Sequence, residues 1–256
     1  MTKAALALAI SLFATAASAN PFGWITVFVP LNPGVVNGAG GTQWTTTLWA
    51  SNTSDHEFPV ICDNTSLLVD SPVPCTLKPH STTSLGQPYP STHQGFFLHV
   101  LSAFANPVPP DALDFTLRTT DTASAPHSAG TQIPIVLPDA FRNALALPNV
   151  PLNGHSRLRL RVYGMENGEV TVRAVGLTTK TEVWNTTLSM KGAAQEIPSF
   201  AEVDLLSAFA TADDALRIEL TSTVKVWGFI SITDNESQQF TIVAPGAGVY
   251  VPKSVA

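Results

Sequence analysis

The sequence predicts an all-β protein: two tandem β-sandwich domains, residues 20–147 and 148–256, behind a removable leader over residues 1–19. Three observations predict it. The first is the stretch at 216–245, LRIELTSTVKVWGFISITDNESQQFTIVAP, which alternates dry and wet residues with the period of two that a half-buried strand requires. The second is a weaker echo of that block about a hundred residues upstream. TQIPIVLP at 131–138 sets Gln132, Ile135-Val136 and Pro138 against Gln239, Ile242-Val243 and Pro245 of QQFTIVAP, and SAFA recurs at 102–105 and 207–210. The third is composition. Only 12% of residues are charged, Ser, Thr, Pro and Gly are plentiful, and β-branched residues are many. Strands of this kind bury one face each and need a second sheet to cover it.

Taken in order, residues 1–19 combine Lys3, a short apolar run (AALALAISLFA) and a small-x-small site at Ala17-Ser18-Ala19. The run is too short to span a bilayer, so it reads as an export signal cleaved before Asn20. No membrane insertion is expected after its removal. NPFGWITVFVP holds a strand over 24–29. The Gly-rich 31–41 resembles a phosphate cradle only superficially, because it opens onto a strand and not a helix, and it reads as a connector. Residues 42–51 (TQWTTTLWAS) alternate with an aromatic on each face, Trp44 and Trp49. Asn52-Thr53-Ser54-Asp55 is a turn of side chains that bond their own backbone. Residues 57–63 form the returning strand, with Pro59 suggesting an edge. Residues 77–89 read as irregular, and 95–101, 113–118 and 132–137 as the remaining strands of this half.

Residues 138–151 read as the boundary, with Asp139 capping one turn of helix through Ala146 and Pro148 and Pro151 stopping it. In the second half SRLRLRVY at 156–163 alternates cleanly. Asn167-Gly168 signals a hairpin into 169–175, and 181–190 is a further strand. FAEVDLLSAFA at 200–210 is the best helix candidate. In the block at 216–245, Ser222-Thr223 and Asp234–Ser237 are read as two turns that cut it into three strands.

The segments at 41–54 (GTQWTTTLWASNTS), 157–174 (RLRLRVYGMENGEVTVRA) and 227–245 (WGFISITDNESQQFTIVAP) resemble tandem immunoglobulin-like β-sandwich modules of uncharacterised secreted bacterial proteins. The resemblance implies a fold and an extracytoplasmic location. It implies no activity, since a sandwich hosts many unrelated functions. The Cys…Trp…Cys core of antibody-type domains is missing, because Cys62 and Cys75 are too close in sequence to form its inter-sheet bond.

In an exported chain Cys62 and Cys75 are expected to pair, stabilising by about 3 kcal/mol in the chain-entropy picture. A metal site is the competing reading, weakened by the absence of CxxC spacing. Acidic residues exceed basic ones, 19 against 13, and no Lys/Arg run occurs, which argues against nucleic acid and anionic lipid as partners. No G-x-S-x-G, HxH or HExxH pattern is present. Asp213-Asp214 and Asp234-x-Glu236 lack the twelve-residue loop of a calcium hand and read as structural turns. Glu166, Glu169, Glu182 and Glu219 read as exposed sheet charge. No catalytic residue, metal ligand or cofactor is expected.

The aromatics are the remaining clue. Trp44 is expected in the core, whereas Trp49 and Trp227 lie opposite the dry face of their strands, exposed or at the interface between the modules. These two are the candidate binding residues. The expected function is an exported, non-enzymatic structural or interaction part at a bacterial cell surface or in the periplasm, with a protein or glycan partner. A carbohydrate-binding module using exposed aromatics is the alternative, and an unrecognised secreted hydrolase is the second.

Overall fold

A computed structural model describes residues 25–38, 41–60, 75–85, 95–100, 111–123, 129–152, 154–194, 197–205 and 213–246. The leader, Cys62 and the SAFA repeats lie outside these residues. The described chain is all-β, with several sheets. Upstream of Pro138 the strands are β1 (Ile25–Val29), β2 (Gly34–Asn37), β3 (Gln43–Asn52), β4 (Phe58–Val60), β5 (Cys75–Leu77), β6 (Ser81–Leu85), β7 (Phe96–Val100), β8 (Leu113–Asp121) and β9 (Thr131–Ile133). They form a four-stranded sheet, β1-β7-β4-β5, and a five-stranded sheet, β2-β3-β8-β9 with β6 also on β3. The facing sides are supplied by period-two alternation. Val27, Val29, Phe96, Leu98 and Val100 meet Leu48, Ala50, Phe115 and Leu117, all essentially buried.

Asn52, buried at the end of β3, ties the sheets at one corner. Its Nδ2 donates to the carbonyls of His56, Leu77 and Lys78 at 2.6, 3.1 and 3.2 Å, while Oδ1 accepts from the Ser54 N–H at 3.0 Å. The expected side-chain turn is thus present and also reaches the next sheet.

Downstream, a single 3-10 turn (Pro138–Ala140) leads into β10 (Arg142–Pro151), β11 (Ser156–Gly164), β12 (Gly168–Gly176), β13 (Glu182–Met190), β14 (Ser199–Asp204), β15 (Ala215–Asp234) and β16 (Phe240–Val243). All seven belong to one sheet organised on β15. Val226 pairs with both Arg142 of β10 and Gly164 of β11, so those strands occupy opposite edges of β15. β10 also lies opposite β12, which places β11 and β12 on the same edge, one after the other. The outer strands follow suit, β14 on β11 and β13 on β12.

The sheet is folded over. A Cβ added at Gly228 would stand 3.3 Å from Leu220 Cδ1, although eight residues of straight strand would separate the two positions by about 26 Å. The bend lies at 222–225 and is held from both edges. Ser222 Oγ donates to the Glu169 carbonyl at 2.6 Å, and Asn143 Nδ2 donates to the Ser222 and Thr223 carbonyls at 3.2 and 2.9 Å. Leu158, Leu160, Val162 and Ile230 from one side of the bend then pack with Val170, Val172, Ile218 and Leu220 from the other.

Several sequence expectations are corrected. Ser222-Thr223 is a bend within one 20-residue strand, not a turn between two. Asn167-Gly168 makes no hairpin, because β11 and β12 pair with β15 and not with each other. Residues 142–146 are strand, since β15 offers an edge and the 3-10 turn has no side-chain cap. Residues 199–204 are strand for the same kind of reason, completing the edge of β11. The Gly-rich connector contains β2, and the segment read as irregular, 77–89, starts on the last residue of β5 and contains β6. β4 does not return on β3; it lies between β7 and β5, and among the described residues only Val60 pairs with β7, so Pro59 blocks no ladder there.

Candidate functional site

Two sheet faces beyond the sandwich cores carry aromatics, and the structure treats them oppositely. The outer face of the four-stranded sheet presents Phe28 and Phe97, paired across β1 and β7. It packs on the outer face of β11 and β15, where Tyr163 is paired with Trp227 and Phe229 follows on the same side. Phe28 lies 4.9 Å from the Tyr163 ring, 5.8 Å from Trp227 and 5.2 Å from Phe141, with the edge-to-face tilts that ring quadrupoles favour. The Tyr163 hydroxyl donates to the Pro30 carbonyl at 2.6 Å. Burial pushes the Tyr163 pKa well above its ordinary value, with neighbouring Arg161 opposing the shift.

Trp227 is therefore no exposed binding aromatic: it is fully buried. From Val226 to Ile232 both faces of β15 are covered, one by its own core and one by the upstream half. Its Nε1 is buried without a hydrogen-bond partner among the described residues. At the rim of this seam Thr26, Phe97, His99, Pro138, Met165, Ala194 and Ile197 line a hollow of about 220 Å³. Thr26 Oγ1 and His99 Nδ1 are hydrogen-bonded there at 2.8 Å. On the other flank Trp44 packs on Phe240 at 5.6 Å, and Thr131 Oγ1 donates to the Phe240 carbonyl. Trp44 is only half-buried in that contact and belongs to neither hydrophobic cluster, short of the core position expected from the sequence.

The second face is the outside of the five-stranded sheet. Alternation along β3 sends Leu48, Ala50 and Asn52 inward and Thr47, Trp49 and Ser51 outward. Trp49 keeps 42% of its surface exposed. Register places Ser84 of β6 and Thr116 of β8 directly opposite it. The next row toward the strand start holds Thr47, Arg118 and Gln132, and the next toward its end holds Thr82, Ser51 and Asp114. Ser51 Oγ and Thr82 Oγ1 are hydrogen-bonded at 2.9 Å. The indole is thus an apolar plate whose nearest described neighbours are short hydroxyls, with one guanidinium and one carboxylate on its diagonals, while exposed Val35 lies beside Thr45 two rows further along the same face. Sequence reasoning found Trp49 but missed its β6 neighbours, because a Ser/Thr-rich stretch carries no hydrophobic alternation to mark a strand.

The other sequence candidates resolve into structural roles. Asp213 is buried and its carboxylate accepts from the Thr178 and Thr179 N–H groups and the Thr179 hydroxyl at 2.6, 2.9 and 2.6 Å. Asp234 caps its turn, and the N–H of Ser237 holds its carboxyl below the usual range. Glu182 and Glu219 are brought together, but by Arg173, which reaches them at 2.6 and 3.0 Å on an exposed face. That hydrogen bond from Arg173 depresses the Glu182 pKa. His80 meets Asp55 at 2.7 Å, both exposed, while neighbouring Ser81 donates to the Lys78 carbonyl. Among the described residues no three of His, Cys, Asp and Glu converge as a metal site. The pairing of Cys62 with Cys75 falls outside the described residues. Comparison with protein-family models, with curated proteins and with solved structures finds no match to this chain.

Proposed function

We propose that this chain is an exported, non-enzymatic protein of two immunoglobulin-like β-sandwich modules that acts by binding a partner at the cell surface or in the periplasm. The observation that carries this reading is the Trp49 face, a sheet surface with one large exposed aromatic and a register of polar neighbours around it. Such an amphipathic ring at the surface is the residue type that interfaces use. The composition of residues 1–19 supports export. The order β3-β8-β9 upstream and β11-β15-β16 downstream, antiparallel in both, supports a tandem origin of the modules.

The test is retention on an envelope fraction, wall polysaccharide and membrane protein together. The purified chain is expected to be retained, and Trp49→Ala to lose retention with unchanged thermal unfolding. Equal retention of the two proteins, or none of either, defeats the reading.

A further inference from the structure

We propose that the Trp49 face binds a neutral glycan chain; this deepens the interaction reading above and rests on it. The first reason is the grain of the surface. The four positions nearest Trp49 in register, Thr47, Ser51, Ser84 and Thr116, all carry hydroxyls. A protein hot spot sits in a well-packed pocket ringed by contacts that exclude water, whereas this indole stands open among hydroxyls. A pyranose ring has the matching pattern: one face of C–H groups, weakly positive, suited to the negative face of an aromatic ring, and a girdle of hydroxyls suited to Ser, Thr and amide partners.

Charge is the second reason. Arg118 and Asp114 stand on opposite diagonals of Trp49, so among the described residues its cross-strand neighbours carry one charge of each sign. The chain as a whole carries a formal net charge of -6. An anionic polymer, whether nucleic acid or acidic polysaccharide, needs a basic excess that this face lacks. A neutral polymer needs none.

Spacing is the third. The row Ser84, Trp49, Thr116 crosses three adjacent strands, about 4.8 Å apart, so hydroxyls flank the indole on both sides at roughly the length of one sugar unit. Arg118 and Gln132 extend the same surface one row along. A chain lying across the strands meets ring, then hydroxyl, on either side.

Affinity electrophoresis of the purified chain tests this in native gels cast with hydroxyethyl cellulose, xyloglucan, galactomannan or a soluble β-1,3-glucan, with alginate and polygalacturonate as anionic counterparts. Retardation by at least one neutral polymer is expected. Trp49→Ala is expected to weaken it at least tenfold. Ser84→Arg, which crowds the indole without removing it, should move in the same direction with unchanged unfolding. No retardation by any neutral polymer, a preference for the anionic ones, or retardation indifferent to both variants overturns the proposal. A Trp49-dependent protein partner from the envelope fraction, with no glycan retardation, overturns the glycan and leaves the interaction reading standing.

Discussion

Trp227 and Trp49 occupy the same kind of place, each on the side of its strand opposite the sandwich core, and they have opposite fates. Trp227 is fully buried in the seam, whereas Trp49 keeps 42% of its surface in solvent. The difference lies in their cross-strand neighbours. Trp227 shares its face with Tyr163 and Phe229 and meets Phe28 on the facing sheet. Trp49 shares its face with Thr116 and Ser84. An aromatic row makes a surface that must be covered; a lone aromatic in a hydroxyl row makes one that can stay open.

Four substitutions break or sharpen this contrast. Trp227→Ala should have the largest effect, a loss of about 3–5 kcal/mol in denaturant unfolding, since it empties a closed site. If the seam joins two modules, the loss should also split one transition into two. Gly228→Ala comes next. Its new Cβ would lie 2.6 Å from the Arg161 carbonyl oxygen, a backbone atom that cannot swing aside, and overpacking of this kind costs about 1–3 kcal/mol.

Tyr163→Phe should cost about 1–2 kcal/mol by leaving the Pro30 carbonyl without its donor. It also has a pH signature. Folding raises the Tyr163 pKa, so the folded state holds the phenolic proton more tightly than the unfolded one. That contribution is complete below the ordinary tyrosine value of about 10 and is lost as pH rises beyond it. The wild type should therefore lose stability above about pH 10 faster than Tyr163→Phe. Trp49→Ala should be smallest, within about 0.5 kcal/mol, because its site is already open. A larger loss would mean that the plate is a structural element after all.

Period-two alternation made β3, β7, β8, β11 and β12 legible from the sequence, because each has one face that must be dry. It failed where tertiary partners decide. Ser222-Thr223 looks like a turn, yet Glu169 and Asn143 hold the strand through the bend. Residues 199–204 carry an ambiguous pattern that the open edge of β11 resolves as strand. β6 is nearly all hydroxyl and is a strand because β3 offers it a ladder. For the candidate site, the aromatic could be read from alternation, but whether it faces water could not. Exposure depends on which residues sit beside it on other strands, and those on β6 and β8, from Thr82 to Arg118, arrive from 33 to 69 positions away in the chain.

The bent strand β15 also constrains how the chain is born. β10, β11 and β12 all wait for the same partner, Ala215–Asp234, before any of them has its full ladder. The ribosome has by then made everything from residue 142 onward as segments with open edges, and such non-local pairing is slow to form. The upstream sheets close on residues before 134, whereas the downstream sheet has no finished edge-to-edge order until residue 234 emerges, so the two halves complete their ladders at very different points of synthesis.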